Sequence, residues 1–161
     1  MKAIVFLFAL ALLAPAVAQA TDTISGLPLP RFAALRSSEV NMRAGPGTRY
    51  PIEWVFTRQG LPVEIIAEYD IWRRVRYPEG NEGWVHKNEL IGKRAAIVTG
   101  GPRDLRGDNR DDAPAVAHLD PGAIGQLSAC GRDWCKLKFE DVKGYLRKSE
   151  FWGAYPGETF D

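Results

Sequence analysis

One motif is written twice in this chain, and the duplication limits the folds open to it more than any other feature. Met42-Arg43 returns as Leu105-Arg106, and Pro51-Ile52 as Pro114-Ala115, both 63 residues later. Gly60 and Trp72 return as Gly122 and Trp134 after 62 residues, and Gly83-Trp84-Val85 returns as Gly144-Tyr145-Leu146 after 61. The run "HKNEL" (His86 to Leu90) is matched by "RKSEF" (Arg147 to Phe151). Two one-residue slips, each in a turn-like segment, account for the drift. A period of this size is too long for a solenoid unit and suits a small domain that closes its own core. The sequence therefore predicts two tandem domains.

Each copy is patterned as short strands. Val63, Ile65 and Ala67 alternate with Glu64 and Glu68. Arg73, Val75 and Tyr77 alternate with Trp72, Arg74 and Arg76, and Cys135, Leu137 and Phe139 with Trp134, Lys136 and Lys138. Period-two alternation indicates half-buried strands. Turn formers punctuate them at Gly45-Pro46-Gly47, Pro78-Glu79-Gly80-Asn81, Pro121-Gly122 and Gly131-Arg132-Asp133. The expected class is all-β, with each copy a small antiparallel barrel.

The N-terminus predicts export. Lys2 precedes an apolar run from Ile4 to Val17, and Ala18-Gln19-Ala20 places small residues where a signal peptidase reads them. Residues 1–20 are thus expected to be a cleavable signal peptide. The run contains Pro15 and is short for a bilayer span, so no stable membrane insertion is expected after cleavage. Losing Lys2, one of 21 Lys and Arg residues, leaves the charge balanced against 20 Asp and Glu. That balance argues against nucleic acid, whose binders carry a basic excess. Residues 21–35, with Pro28 and Pro30, are expected to be a flexible leader.

"VNMRAGPGTRYP", then a strand, "IWRRVR", a turn and "EGWVHKNEL" together resemble the bacterial SH3 (SH3b) domain. The nearest likeness is to the variant found in secreted proteins of alphaproteobacterial type. The likeness spans about residues 36–153, and the closing "FWGAYPGE" resembles that family's C-terminal segment. The resemblance implies two SH3-like barrels, at 36–98 and 99–161, and a periplasmic or secreted protein that binds at the cell wall. Its implied partner is peptidoglycan, through the peptide stem or the glycan. The alternative partner is a peptide of another envelope protein. The second copy departs from the pattern, because "DLRGDNRDDAP" lacks Gly-Pro-Gly.

Several side chains are candidates for binding. In the Gly-Pro-Gly loop, Arg43 and its counterpart Arg106 could either fold back onto loop carbonyls or meet a ligand carboxylate, since a guanidinium carries five donors in a fixed fork. Arg49 and Tyr50 are the residues that loop would present. Trp72, Arg74 and Arg76 share a strand face, as do Trp134, Lys136 and Lys138. If those faces point outward, an indole beside cations can stack on a sugar or peptide while the cations pair with carboxylates. The opposing reading is that each Trp is a lid on a thin core. Trp54 and Trp84 are ambiguous, with Trp84 expected to be packed.

Cys130 and Cys135 flank a predicted hairpin tip and align with Glu68 and Arg73, a potential ion pair. In an oxidising compartment the two thiols are expected to form a disulfide. That pairing, and the absence of zinc-finger spacing to His86 or His118, argue against a metal site and against a cysteine nucleophile. No phosphate loop or dinucleotide motif occurs. A non-catalytic protein without cofactors is expected.

Overall fold

The computed structural model describes residues 23–161. The expected signal peptide and the first two residues of the expected leader lie outside them. Fourteen strands form two seven-stranded antiparallel sheets, one per repeat. The first holds β1 (Arg31–Leu35), β2 (Val40–Arg43), β3 (Ile52–Phe56), β4 (Pro62–Tyr69), β5 (Trp72–Arg76), β6 (Glu82–His86) and β7 (Leu90–Ile91). The second holds β8 (Ala95–Val98), β9 (Arg103–Arg106), β10 (Ala115–Leu119), β11 (Ile124–Cys130), β12 (Trp134–Phe139), β13 (Val142–Arg147) and β14 (Phe151–Trp152). The strand orders are β3-β2-β6-β5-β4-β1-β7 and β10-β9-β13-β12-β11-β8-β14, the same topology twice.

Two boundaries differ from the sequence expectation. Residues 31–35 are not leader. They form β1, which pairs with β4 through Phe32↔Glu64 and with β7 through Leu35↔Leu90. The corresponding strand of the second sheet is β8, paired with β11 and β14, so Ala95–Val98 opens the second barrel rather than ending the first. Without these strands β4 and β11 would each carry an open edge of unpaired backbone groups. The repeat in fact reaches this far, because "RFAAL" from Arg31 and "RAAIV" from Arg94 lie 63 residues apart. Residues 23–30 are also held: Ser25 donates through N and Oγ to Glu68, at 2.8 and 2.6 Å.

The duplication extends to single contacts. Leu35 N donates to Leu61 O and Gly60 N to Leu35 O, and Val98 N donates to Ala123 O and Gly122 N to Val98 O. The β4–β5 ladder shifts register between Ile65 and Ala67, and β11–β12 shifts between Leu127 and Ala129. Such bulges bend a sheet, as closing a small barrel requires. Inward residues correspond too: Met42 with Leu105, Ile65 with Leu127, Val75 with Leu137 and Val85 with Leu146, all buried. Gly83 and Gly144 hold their positions for one reason. A Cβ at either would lie 2.5–2.6 Å from the side chain of Met42 or Leu105.

The barrels keep separate cores but do not stand apart. One apolar cluster centres on Val63, Val75 and Val85, the other on Leu105, Leu137 and Leu146. Ile97 of β8 and Trp152 of β14 pack onto the first cluster from the second barrel. The C-terminal segment fastens the pair. Phe32 of β1 meets Trp152 edge-on and Tyr155 at a tilt, both with ring centroids 4.8 Å away. Tyr155 Oη donates to Glu64 Oε1 at 2.9 Å, so one tyrosine touches both members of the Phe32↔Glu64 cross-strand pair. Burial and the Glu64 carboxylate push the Tyr155 phenol above its ordinary pKa, which keeps it a donor. Arg94 donates to Glu158 Oε2 and to the Gly153 carbonyl, both at 2.8 Å, and lies over the Phe32 ring. Gly153 has φ +140°, and a Cβ there would lie 2.2 Å from the Ala95 carbonyl oxygen.

The tip of the β4–β5 hairpin and its counterpart are held by different chemistry. Arg73 Nε lies 3.2 Å from Glu68 Oε1, and Arg31 Nη2 approaches the same oxygen at 2.6 Å, with the Glu68 side chain 2% exposed. The equivalent pair, Cys130 and Cys135, is a disulfide. For Glu68, burial alone would raise the pKa. The hydrogen bonds from Ser25 and Arg31 and the charge of Arg73 outweigh it and hold the carboxyl at about 2, against an ordinary 4.5. Because the folded chain holds this proton more weakly than the unfolded chain, the stabilisation is complete above pH 4.5 and drains away as the pH falls towards 2.

The two hairpins should therefore fail under different stresses. Acidification from pH 4.5 to 2 should speed amide exchange in β4 and β5 while leaving β11 and β12 protected. The double variant Cys130→Ser/Cys135→Ser should cost about 2 kcal/mol and loosen β11 and β12 alone. The same response of both hairpins to either stress would contradict this division. Separately, Gly153→Ala should lower the unfolding midpoint, read by thermal denaturation, by displacing the segment against β8.

Candidate functional site

The Gly-Pro-Gly loop that dominates the first repeat is a closed structure. Arg43 folds back and donates from Nη1 to the carbonyls of Thr48 and Tyr50, at 3.2 and 2.8 Å. The loop neck is closed by Ala44 N donating to Pro51 O. Tyr50 lies flat over Gly45, where an added Cβ would meet its ring at 2.5 Å. Arg49 in turn covers the Tyr50 ring, 5.1 Å from its centroid, and donates to its hydroxyl. Arg49 is exposed and Tyr50 half-buried, so the loop does present both, with the guanidinium turned onto its own tyrosine. The second repeat keeps the same brace without the glycines: Arg106 Nη1 donates to Ala113 O at 2.9 Å, and Gly107 N to Pro114 O. Its loop gains another tie, from Arg147 Nε to Asp111 Oδ1 at 2.9 Å. The Arg147 guanidinium holds the Asp111 carboxyl below the usual carboxylate range.

The two tryptophan faces turn out unequal. Trp72 is 8% exposed and packs edge-on against the His86 ring, so it is buried and not an outward platform. Its expected partners are occupied: Arg74 pairs with Glu82 at 2.9 Å, and Arg76 with Glu82 and Glu64 at 2.8 and 3.3 Å. These pairs form because β5 sets Arg76 opposite Glu82 on β6 and Glu64 on β4. In the second barrel Trp134 is half-buried beneath the Arg147 guanidinium, 4.6 Å from the ring centroid. Lys136 is exposed and lies 5.9 Å from the Tyr145 ring centroid, and Lys138 is 3.9 Å from Asp141. Trp134 and Lys136 share a shallow cleft of about 330 Å³ with Tyr145. This face is reachable, though Arg147 already occupies the stacking position over the indole.

An apolar groove lies elsewhere, along edge strand β3. It encloses about 410 Å³ and is lined by Trp54, Phe56, Leu61, Tyr77 and Ile97, with Arg58, Glu79 and Asn81 among its polar residues. Trp54 is 52% exposed and stacks on Tyr77 with centroids 6.4 Å apart and planes 22° from parallel. Phe56 meets Tyr77 edge-on at 5.3 Å. The sequence leaves Trp54 ambiguous, while Tyr77 alternates in phase with Val75 and is indeed buried, 9% exposed in the first core cluster. The missed signal is the repeat itself: Trp54 falls opposite Ala117, and Tyr77 opposite Phe139. In the second barrel Phe139 fills space over Gly125, whose Cβ would lie 2.7 Å from its ring, where the first barrel has buried Val63. The equivalent cleft of the second barrel, lined by Ala117, His118, Asp120, Phe139 and Glu140, is therefore polar and lacks an aromatic stack.

The model of the bacterial SH3 domain family matches residues 36–92 and 104–153, one match per barrel. The chain belongs to the bacterial SH3 domain family. Bacterial SH3 domains are generally non-catalytic binding modules and are commonly extracellular. A solved structure of NlpC1 from Trichomonas vaginalis aligns over 88% of this chain and 51% of that one, at 9% identity and a TM-score of 0.37. The chain thus spans about half the length of that protein, and so remote a likeness carries no functional argument. No curated protein matches the sequence. Among the described residues, no cluster of His, Cys, Asp and Glu is suited to hold a metal, and no helix is long and apolar enough to cross a membrane.

Loop bracing in the bacterial SH3 barrels should be measurable at one residue. Arg43→Ala should cost about 1–3 kcal/mol in urea unfolding. Lost amide protection should be concentrated at Ala44 to Tyr50. Full retention of stability would show that the carbonyl contacts contribute nothing net.

Proposed function

We propose that this protein is an exported, non-catalytic binding module, periplasmic or secreted, that recognises peptidoglycan through the groove lined by Trp54 and Tyr77. The observation that supports this most directly is the exposed Trp54 stacked on Tyr77 beside Arg58, Glu79 and Asn81. Aromatic walls grip the apolar face of a sugar or peptide, and a few polar groups at the rim fix its orientation. Peptidoglycan supplies rings, amides and carboxylates together. Family membership supports a binding role, and the polar replacement of the second groove favours the first barrel as the main site.

The other reading is a peptide of an envelope protein. It draws support from β3, whose outer edge is unpaired and whose residues Ile52, Trp54 and Val55 are exposed. An extended peptide could add there as a further strand.

Retention on purified sacculi tests the first reading. The protein should be retained, Trp54→Ala should reduce retention about tenfold or more, and Trp72→Phe should leave it unchanged. In a titration with muropeptides the Trp54 indole signal should move and the Trp72 signal should stay still. Retention no better than that of an unrelated small barrel would end the peptidoglycan reading. Capture of one envelope protein after wall digestion would favour the second.

A further inference from the structure

Arg58 stands out among the arginines of the first barrel. Arg31, Arg36, Arg43, Arg73, Arg74 and Arg76 each donate to a carboxylate or a carbonyl. Arg58 lies in the turn after β3, is exposed, and has no ion pair or hydrogen bond among the described residues. Its guanidinium reaches the second barrel, where a Cβ on Gly122 would lie 3.6 Å from Nη1. It lines the Trp54–Tyr77 groove and also the cleft of the second barrel. In that cleft Asp120 and Glu140 likewise make no ion pair among the described residues. Along the junction, then, an aromatic groove is followed by an uncommitted cation and by two uncommitted carboxylates. The C-terminal clamp holds this sequence of groups together, because it fixes one barrel against the other.

We propose that these parts form one composite site for a short zwitterionic peptide spanning both barrels. Its apolar portion lies against Trp54 and Tyr77, a carboxylate meets Arg58, and an ammonium points towards Asp120 and Glu140. Charge complementarity selects this occupant: a glycan of neutral N-acetylated sugars offers neither charge, whereas a wall stem peptide carrying a diamino acid offers both. The guanidinium fork suits a carboxylate in two-point contact. The two barrels thus contribute unlike halves of one site, and the divergence of the second groove is what makes it useful. This inference rests on the peptidoglycan reading and narrows it to the peptide.

Calorimetric titration of the intact two-barrel protein tests it with three probes. They are a synthetic stem tripeptide ending in diaminopimelate, the same peptide with its side-chain amine acetylated, and a peptide-free N-acetylglucosamine oligomer. The free peptide should bind, and Arg58→Gln should weaken it about tenfold. Acetylation of the amine and the double variant Asp120→Asn/Glu140→Gln should each weaken it by several-fold. The acetylated peptide should no longer respond to the double variant. Folding of every variant is verified by its amide NMR spectrum, and all these side chains are surface groups. Unchanged affinity in Arg58→Gln, or equal binding of free and acetylated peptide, would overturn the composite site. If Trp54→Ala still abolished retention on sacculi, the groove reading would stand without it. Binding of the sugar oligomer in place of the peptide would overturn the inference and leave a glycan-binding groove.

Discussion

Phe32, held between Trp152 and Tyr155, is the contact on which the arrangement of this molecule depends. It is a residue of the first barrel's opening strand, and both its partners come from the end of the second barrel. Two barrels of this size have thin cores, and a bare peptide connection would leave them free to swing. The aromatic contact removes apolar area from water, and the Tyr155–Glu64 hydrogen bond gives it direction. Arg94, at the connection itself, fastens the tail through Glu158 and the Gly153 carbonyl. Segments far apart in sequence thereby act as one interface, and Arg58 is brought onto the second barrel's surface.

The duplication shows which parts of a small barrel must be kept and which are free to vary. The arginine that braces the loop after β2 and β9 is retained, because one side chain satisfies carbonyls at the same offset in both copies. The glycine at Gly83 and Gly144 is retained because a core side chain occupies the space a Cβ would need. The cross-link at the hairpin tip is free to change chemistry, ion pair in one copy and disulfide in the other. The grooves are freest. With Ala117 in place of Trp54 and Phe139 turned over Gly125, the second barrel surrenders an aromatic slot and gains an open polar cleft.

Much of this was legible in the residues. Alternation along Trp72–Arg76 and Trp134–Phe139 placed the strands and the inward Val75 and Leu137 correctly, and the cysteine pair and the Glu68–Arg73 pair followed from their alignment. The opening strands were not legible. Pro28 and Pro30 masked β1, and four apolar residues in a row at Ala95–Val98 carry no alternation to show which sheet they join. The site was less legible still. Alternation alone points Trp72 outward, but its indole is buried, packed edge-on against the His86 ring. Arg74 and Arg76 looked available until strand register set them beside Glu82 and Glu64. Trp54 lay in a strand whose residues are exposed on both faces, a pattern that period-two reasoning does not anticipate.

A shared site at the junction exists only if the orientation of the two barrels is fixed, so that they behave as one body. Residual dipolar couplings of the backbone amides, measured in a weakly aligned sample, test this directly. The structure predicts that couplings from residues 31–91 and 95–152 fit a single alignment tensor of one magnitude and orientation. Two tensors, differing in magnitude or axes, would show barrels moving independently about Arg94 and would contradict the account.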